Sequence, residues 1–179
     1  MKIFGLVGWS GSGKTTLVAR LLPELIGRGF SVSTMKHTHH NFDIDKKGKD
    51  SFEHRMAGAT EVLITGTRRW ALLHENRDAP EPSIEELLER MEDVGLVLIE
   101  GFKSHRHQKM EVFRPAVGKP LLAEDDPTIV AVASDAPASD LSGLADRDLA
   151  IIDLDDVTAV ADFIIGHTGL EAGVRDGAA

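Results

Sequence analysis

The sequence predicts an α/β fold in which helices cover both faces of a mostly parallel central sheet. An apolar run at residues 3–7 leads through a glycine-rich turn into a helical pattern, and a β-prone run at 30–35 follows. A strand, a helix and a strand at this spacing form a right-handed parallel crossover. Apolar runs at 96–99, 128–133 and 149–152 predict further strands, the first of them a central strand buried on both faces.

Length and composition predict one ordinary domain. The 179 residues suffice for one hydrophobic core, 42% of them are apolar, and no apolar run approaches the length of a membrane span. We expect a single domain at 1–166 and a flexible tail at 167–179. No leader precedes the first strand and cysteine is absent, which favours a cytoplasmic location. The formal charge of −9 opposes binding to nucleic acid or to an anionic membrane.

The segment Gly8–Thr15, called the phosphate loop below, is the strongest functional signal. A glycine, four residues and Gly-Lys-Thr are typical of a loop whose backbone N–H groups surround a polyphosphate. Lys14 is expected to contact the β- and γ-phosphates, and Thr15 to bind Mg²⁺. This context predicts the three-layer fold of P-loop NTPases. The predicted nucleotide-binding residues of the loop and the following helix are Gly8, Trp9, Ser10, Gly11, Ser12, Gly13, Lys14, Thr15 and Thr16.

Glu100 is the strongest candidate outside the loop. It follows the apolar run 96–99, so it lies at the carboxyl end of a predicted strand, where parallel sheets bind ligands. An acid there holds Mg²⁺ or its water, or orients the attacking water. Asp45, in an aperiodic stretch after the second strand, is an alternative, and Asp43 competes with it. The predicted catalytic residues are Lys14, Glu100 and Asp45, and the predicted metal ligands are Thr15, Glu100 and Asp45.

Two other polar clusters leave alternatives open. His37, His39 and His40 could hold a transition metal, donate hydrogen bonds to a polyphosphate or be solvated. The basic segment 103–109 predicts a site for an anionic ligand or partner, with a solvated loop as the alternative.

The nucleobase is weakly specified. The chain has no Asn-Lys-x-Asp motif, but Asp135 follows the predicted strand 128–133 and could accept hydrogen bonds from guanine. Trp9 is unusual beside the loop glycines, and we interpret it chiefly as a core anchor.

Local patterns predict several element ends. Two β-prone runs, 60–65 and 68–74, surround Gly-Thr and predict a hairpin that would make the sheet mixed. Asp50, Ser83 and Asp155 are predicted helix N-caps, the first two with a glutamate three residues later as in a capping box. The helix after Ser83 is expected to reach residue 93.

The chain resembles the molybdopterin-guanine dinucleotide biosynthesis protein B family over roughly residues 1–166. The resemblance rests on Gly8 to Thr16, on Lys36-His37 with His40, Phe42, Asp43, Asp45 and Gly48-Lys49-Asp50-Ser51, on Ala57-Gly58-Ala59, and on Leu98-Ile99-Glu100-Gly101-Phe102-Lys103. It implies a homodimeric GTP-binding protein with weak GTPase activity. It also implies an adapter to the guanylyltransferase that attaches GMP to the molybdenum cofactor. The expected ligands are GTP and Mg²⁺.

Two other functions fit the phosphate loop. A small-molecule kinase would need an acceptor pocket and lid arginines, for which Arg68, Arg69 and Arg106 are the candidates. An adapter without enzymatic activity would use the nucleotide only as a switch.

Overall fold

The computed structural model describes residues 1–38, 42–141, 144 and 147–171. The chain divides into two compact units: Met1–His37 with Asp93–Ala179, called the sheet unit, and Thr38–Glu92, called the hairpin unit. In chain order the helices and strands are β1 (Lys2–Val7), α1 (Lys14–Gly27), β2 (Val32–Lys36), α2 (Asp50–Met56), β3 (Glu61–Thr65), β4 (Trp70–His74), α3 (Ile84–Leu88), β5 (Leu96–Glu100), β6 (Lys109–Phe113), β7 (Ile129–Ser134), β8 (Ala150–Asp153) and α4 (Val157–Thr168).

The sheet unit contains a six-stranded sheet in the order β2-β5-β1-β6-β7-β8, and all of these neighbours pair in parallel. The predicted fold class is confirmed. The hairpin β3–β4 also forms, but as a separate two-stranded antiparallel sheet. The prediction of a mixed sheet was therefore wrong, because hairpin periodicity fixes the local turn and not the sheet to which it belongs.

Successive side chains of a strand point to opposite faces of the sheet, so the core of the sheet unit consists of two clusters, one on each face. Phe4 and Leu6 of β1 point to the face covered by α1 and α4, while Val7 belongs to a second cluster that includes Ala123. Helix α1 has a buried leucine at every fourth position, Leu21 being the middle one. The second face carries a short 3₁₀ helix, Leu122–Glu124, so the layers around the sheet are unequal.

The connection from β5 to β6 contains no α-helix and instead lies directly against β1. A Cβ atom added at Gly5 would lie 2.3 Å from Nε2 of His107. Glycine at position 5 is therefore required by this close approach. The consequence is that residues 101–108 are held against the strand that leads into the phosphate loop.

Helix ends confirm one predicted cap and correct two. Ser83 and Glu86 form the capping box, although α3 ends at Leu88 and not near residue 93. Lys49 stands at the N-cap of α2 because its backbone is extended there, so Asp50 is already helical. The N-cap of α4 is Asp156, whose Oδ1 accepts from the N–H of Ala159, while the neighbouring Asp155 is bound by Arg20. The predicted tail begins too early, because α4 continues to Thr168, and residues 172–179 lie outside the described residues.

Candidate nucleotide-binding site

The phosphate loop connects the carboxyl end of β1 to the first turn of α1. Gly8 and Gly13 have positive φ, 147° and 100°. Gly8 also has no room for a side chain, because a Cβ atom there would lie 2.4 Å from the carbonyl oxygen of Val112. The turn therefore requires glycine at position 8, and it brings backbone N–H groups to the N-terminus of α1, a favourable position for an anion.

Lys14 lies folded over the loop. Its Nζ donates to the carbonyl oxygens of Gly8, at 3.0 Å, and Trp9, at 2.9 Å. Burial lowers the pKa of Lys14 from its ordinary value of 10.5; the nearby carboxylate of Glu100 opposes this shift and the ammonium of Lys36 adds to it. The ammonium of Lys14 is thus partly desolvated and close to other charges, and an anion entering the loop would stabilise its charged form.

Thr15, Glu100 and Lys36 form a compact polar triangle beside Lys14. The hydroxyl of Thr15 donates to Oε1 of Glu100 at 2.9 Å. Nζ of Lys36 lies 3.2 Å from the same carboxylate oxygen and 3.4 Å from Oγ1 of Thr15. The fold therefore brings together the predicted residues Lys14, Thr15 and Glu100, and adds Lys36, which the sequence analysis left without a role.

Trp9 is not the core anchor that the sequence analysis favoured, because its residue is only partly buried. Its indole N–H donates to the carbonyl oxygen of Pro120 at 2.8 Å. The ammonium of Lys103 lies 4.1 Å from the ring centroid and that of Lys119 lies 5.8 Å away, within the range of cation–π attraction. Trp9 therefore connects two loops to the phosphate loop.

Arg114 lies beside the phosphate loop, a position that the sequence analysis did not predict. It follows β6, and its Nε would lie 3.4 Å from a Cβ atom at Gly13. Its guanidinium forms an ion pair with Asp135 at 2.5 Å. Arg114 therefore links Asp135, the candidate guanine ligand, to the edge of the phosphate loop. The available signal was the position of Arg114 directly after a predicted strand, at the ligand-binding edge of the sheet.

Asp45 belongs to the hairpin unit, where neighbouring side chains bind both oxygens of its carboxylate. Oδ1 accepts from the hydroxyl of Ser51 at 2.9 Å, and Oδ2 lies 3.4 Å from Nε of Arg55. Arg55 also binds Asp43 and Glu75. Asp45 and Asp43 are thus members of an ion-pair network around one arginine within the hairpin unit.

The basic segment 103–109 is only partly a solvated surface. Lys109 is fully buried and its Nζ donates to the carbonyl oxygens of Lys103 and His105 and to Asp126. His107 is also buried. The expectation that Lys109 serves an external anion was wrong, because this ammonium binds the backbone of its own loop.

Of the histidine cluster, only His37 lies within the described residues. The ring of His37 packs on Phe102 with 4.4 Å between ring centroids, while His39 and His40 lie outside the described residues. Across the part of the chain that the structure describes, no three His, Cys, Asp or Glu side chains converge so as to hold a metal ion.

Among the same residues, no helix has the length and apolar character that a bilayer-crossing segment needs.

The chain is similar to known proteins of one family. A family model described as molybdopterin guanine dinucleotide synthesis protein B (MobB) matches residues 3–135. The chain is 40% identical over 166 residues to the molybdopterin-guanine dinucleotide biosynthesis adapter protein of Escherichia coli (strain K12). The aligned residues cover 91% of each chain. It is 39% identical over 165 residues to the protein of that name from Haemophilus influenzae, covering 90% of this chain and 86% of the relative.

Solved structures show the same fold. The crystal structure of a molybdopterin-guanine biosynthesis protein B matches with a TM-score of 0.71 and 27% identity, covering 92% of this chain and 99% of the other. The crystal structure of Bacillus subtilis MobB matches with a TM-score of 0.72 over 97% of this chain and 100% of the other, at 22% identity.

Proposed function

The chain belongs to the molybdopterin guanine dinucleotide synthesis protein B family, and on this premise we propose that it is an adapter in molybdopterin guanine dinucleotide biosynthesis that binds GTP with Mg²⁺ and hydrolyses it slowly. The observation that carries the nucleotide part is the convergence of Lys14, Thr15 and Glu100 at the phosphate loop. Its cytoplasmic location stays a prediction.

The phosphate loop and Lys14 would hold the polyphosphate. Lys14 exchanges the carbonyl oxygens of Gly8 and Trp9 for phosphate oxygens, which are stronger acceptors because they are charged. Charge-assisted contacts fixed before the reaction stabilise the charge that develops in phosphoryl transfer. Lys14 therefore contributes both to binding and to hydrolysis.

Thr15 and Glu100 fit a magnesium site. A hydroxyl and a carboxylate only 2.9 Å apart are hard oxygen donors, and Mg²⁺ in nucleotide sites uses one or two carboxylates together with phosphates. The bound ion supplies charge neutralisation to the phosphates. Glu100, whose side chain is 13% exposed, would hold the ion or its water and orient the attacking water. We assign these roles to Glu100 and not to Asp45, because Arg55 and Ser51 bind the carboxylate of Asp45.

Asp135 remains the proposed guanine ligand. A carboxylate can accept from the ring N–H and the amino group of guanine, which adenine does not offer in the same arrangement. To do so, Asp135 must share or release Arg114. The guanidinium would then be available to the nucleotide, which supports a base site between the ends of β6 and β7.

The partners we propose are a second copy of the chain and a guanylyltransferase. The support is a row of exposed apolar side chains on one face of the hairpin β3–β4. Leu63 is paired with Leu72, and Trp70 lies two residues from Leu72 on the same face; their exposed fractions are 60%, 45% and 62%. Such a face marks an interaction surface. Light scattering with Trp70→Lys tests it: the variant should remain monomeric if the hairpin joins two copies, and an unchanged dimer would contradict the assignment.

The nucleotide function is tested by binding of a fluorescent GTP analogue and by phosphate release without any acceptor. Lys14→Ala should lose most affinity, and Glu100→Gln should lose hydrolysis more than binding. Lys47→Ala and Glu92→Gln, which change exposed residues of the hairpin unit, are the matched controls. Unchanged affinity in folded Lys14→Ala would refute the site. Binding without phosphate release would favour the nucleotide switch. Formation of GDP together with a phosphorylated product, only when an acceptor is added and without free phosphate, would favour the kinase.

A further inference from the structure

Lys36 is placed beside Glu100 by the sheet itself. It ends β2, and its Cα partner in the neighbouring strand β5 is Glu100. Paired residues of parallel strands point to the same face. The N–H of His37 donates to the carbonyl oxygen of Glu100 at 2.9 Å, which fixes the register at the end of both strands. The meeting of the two side chains therefore follows from strand pairing and not from a chance encounter on the surface.

The ammonium of Lys36 contacts both oxygen donors of the proposed magnesium site. Nζ lies 3.2 Å from Oε1 of Glu100 and 3.4 Å from Oγ1 of Thr15. A cation bound between these oxygens and the ammonium of Lys36 would compete for the same lone pairs. The Lys36 side chain is 58% exposed and that of Glu100 only 13%. The lysine is consequently the member of the triangle that can move without unpacking the sheet.

We propose that Lys36 is a nucleotide-contacting residue with two alternative places: in the nucleotide-free protein its ammonium lies beside Thr15 and Glu100, where the metal would bind, and with magnesium nucleotide it pairs with the terminal phosphate. The inference rests on the proposed function. The four-carbon arm pivots on the fixed end of β2. Lys14 is the neighbouring cation, and a polyphosphate relieves the repulsion between the two ammonium groups.

The two places predict effects of opposite sign when the charge of Lys36 is removed. Loss of an exposed ion pair should ease metal entry, so that the Mg²⁺ concentration that gives half-maximal nucleotide binding falls about two- to fivefold. Loss of a charge-assisted contact to phosphate should weaken GTP binding about tenfold or more when Mg²⁺ is saturating. A lysine that acted only as a surface charge would produce neither effect.

The experiment is a titration of a fluorescent GTP analogue at a series of Mg²⁺ concentrations and constant ionic strength. Lys36→Met should show the lower Mg²⁺ midpoint together with the weaker saturated affinity. Lys36→Arg keeps the cation and should retain the wild-type midpoint. Lys2→Met, at the exposed start of β1, is the matched control and should resemble the wild type. Thermal unfolding followed by circular dichroism confirms that each variant is folded.

The contrary outcomes are distinct. A Lys36→Met midpoint equal to that of the wild type overturns the inference while leaving GTP binding intact. Affinity lowered equally at every Mg²⁺ concentration means that Lys36 contacts only the phosphate, which also overturns its place on the metal side. A wild-type protein that binds no GTP analogue at any Mg²⁺ concentration refutes the proposed function and the inference with it.

Discussion

Replacing Lys109 by methionine is expected to destabilise the sheet unit by about 3 kcal/mol. The ammonium is fully buried and donates to the carbonyl oxygens of Lys103 and His105, at 2.9 and 2.6 Å. Each carbonyl left without its donor costs about 1 kcal/mol. The carboxylate of Asp126, 3.2 Å away, also loses its partner. Its side chain is 27% exposed, so its share is smaller than the roughly 3 to 5 kcal/mol found when a fully buried pair is broken.

Urea denaturation followed by circular dichroism measures this free energy of unfolding. For a chain of this size the loss corresponds to a fall in Tm of about 6 to 12 °C. The double variant Lys109→Met with Asp126→Asn should recover part of the loss, because the carboxylate is then no longer left uncompensated. A loss below about 1 kcal/mol in the single variant would refute the reasoning, since it would mean that Lys109 behaves as a solvated loop charge.

Three further predictions concern packing, pH and the hairpin unit. Gly5→Ala should lower the free energy of unfolding by about 1 to 3 kcal/mol or more in urea titrations, because its Cβ would lie 2.3 Å from Nε2 of His107; wild-type stability would contradict that contact. Burial pushes the pKa of Asp126 upward, but hydrogen bonds from Thr128 and Lys109 outweigh it and hold the pKa below the ordinary 3.8. Above pH 3.8, Asp126→Asn should therefore be less stable than the wild type by the full contribution of the carboxylate, and this difference should disappear in stronger acid. A difference that does not depend on pH would rule out this linkage. Arg55→Met should accelerate chymotryptic cleavage of residues 42–56, measured by mass spectrometry, since Arg55 binds three carboxylates; an unchanged rate would show that the network does not order this stretch.

The parts that sequence reasoning reached are those set by local chemistry. The phosphate loop needs glycines and a lysine at fixed spacing, so it can be read from eight consecutive residues. The position of Glu100 at the end of β5 was predicted because a buried strand of continuous apolar residues ends on it. Capping by Ser83 is equally local, since the two partners are three residues apart.

The parts that were missed depend on which strands become neighbours. Arg114 meets Asp135 across 21 positions of sequence, and no local pattern pairs them. Lys109 and Glu111 alternate with the buried Met110 and Val112, which marks a strand. Only the position of β6 between β1 and β7 shows that both charges must be satisfied inside, Glu111 by the N–H groups at the start of the 3₁₀ helix. Burial is the main influence on that carboxyl and raises its pKa.

The strand order has a consequence for synthesis on the ribosome. β1, which carries the phosphate loop at its end, has β5 and β6 as its two neighbours, and β5 also separates it from β2. A nascent chain that stops short of residue 96 holds β1 and β2 with neither of their described partners in the main sheet, and the second edge of β1 is closed only when β6 emerges. Long-range parallel pairing of this kind is slow and leaves unpaired apolar edges exposed in the meantime. The candidate nucleotide site can therefore assemble only after β5 and β6 have emerged, and until then the unpaired edges of β1 and β2 are open to aggregation.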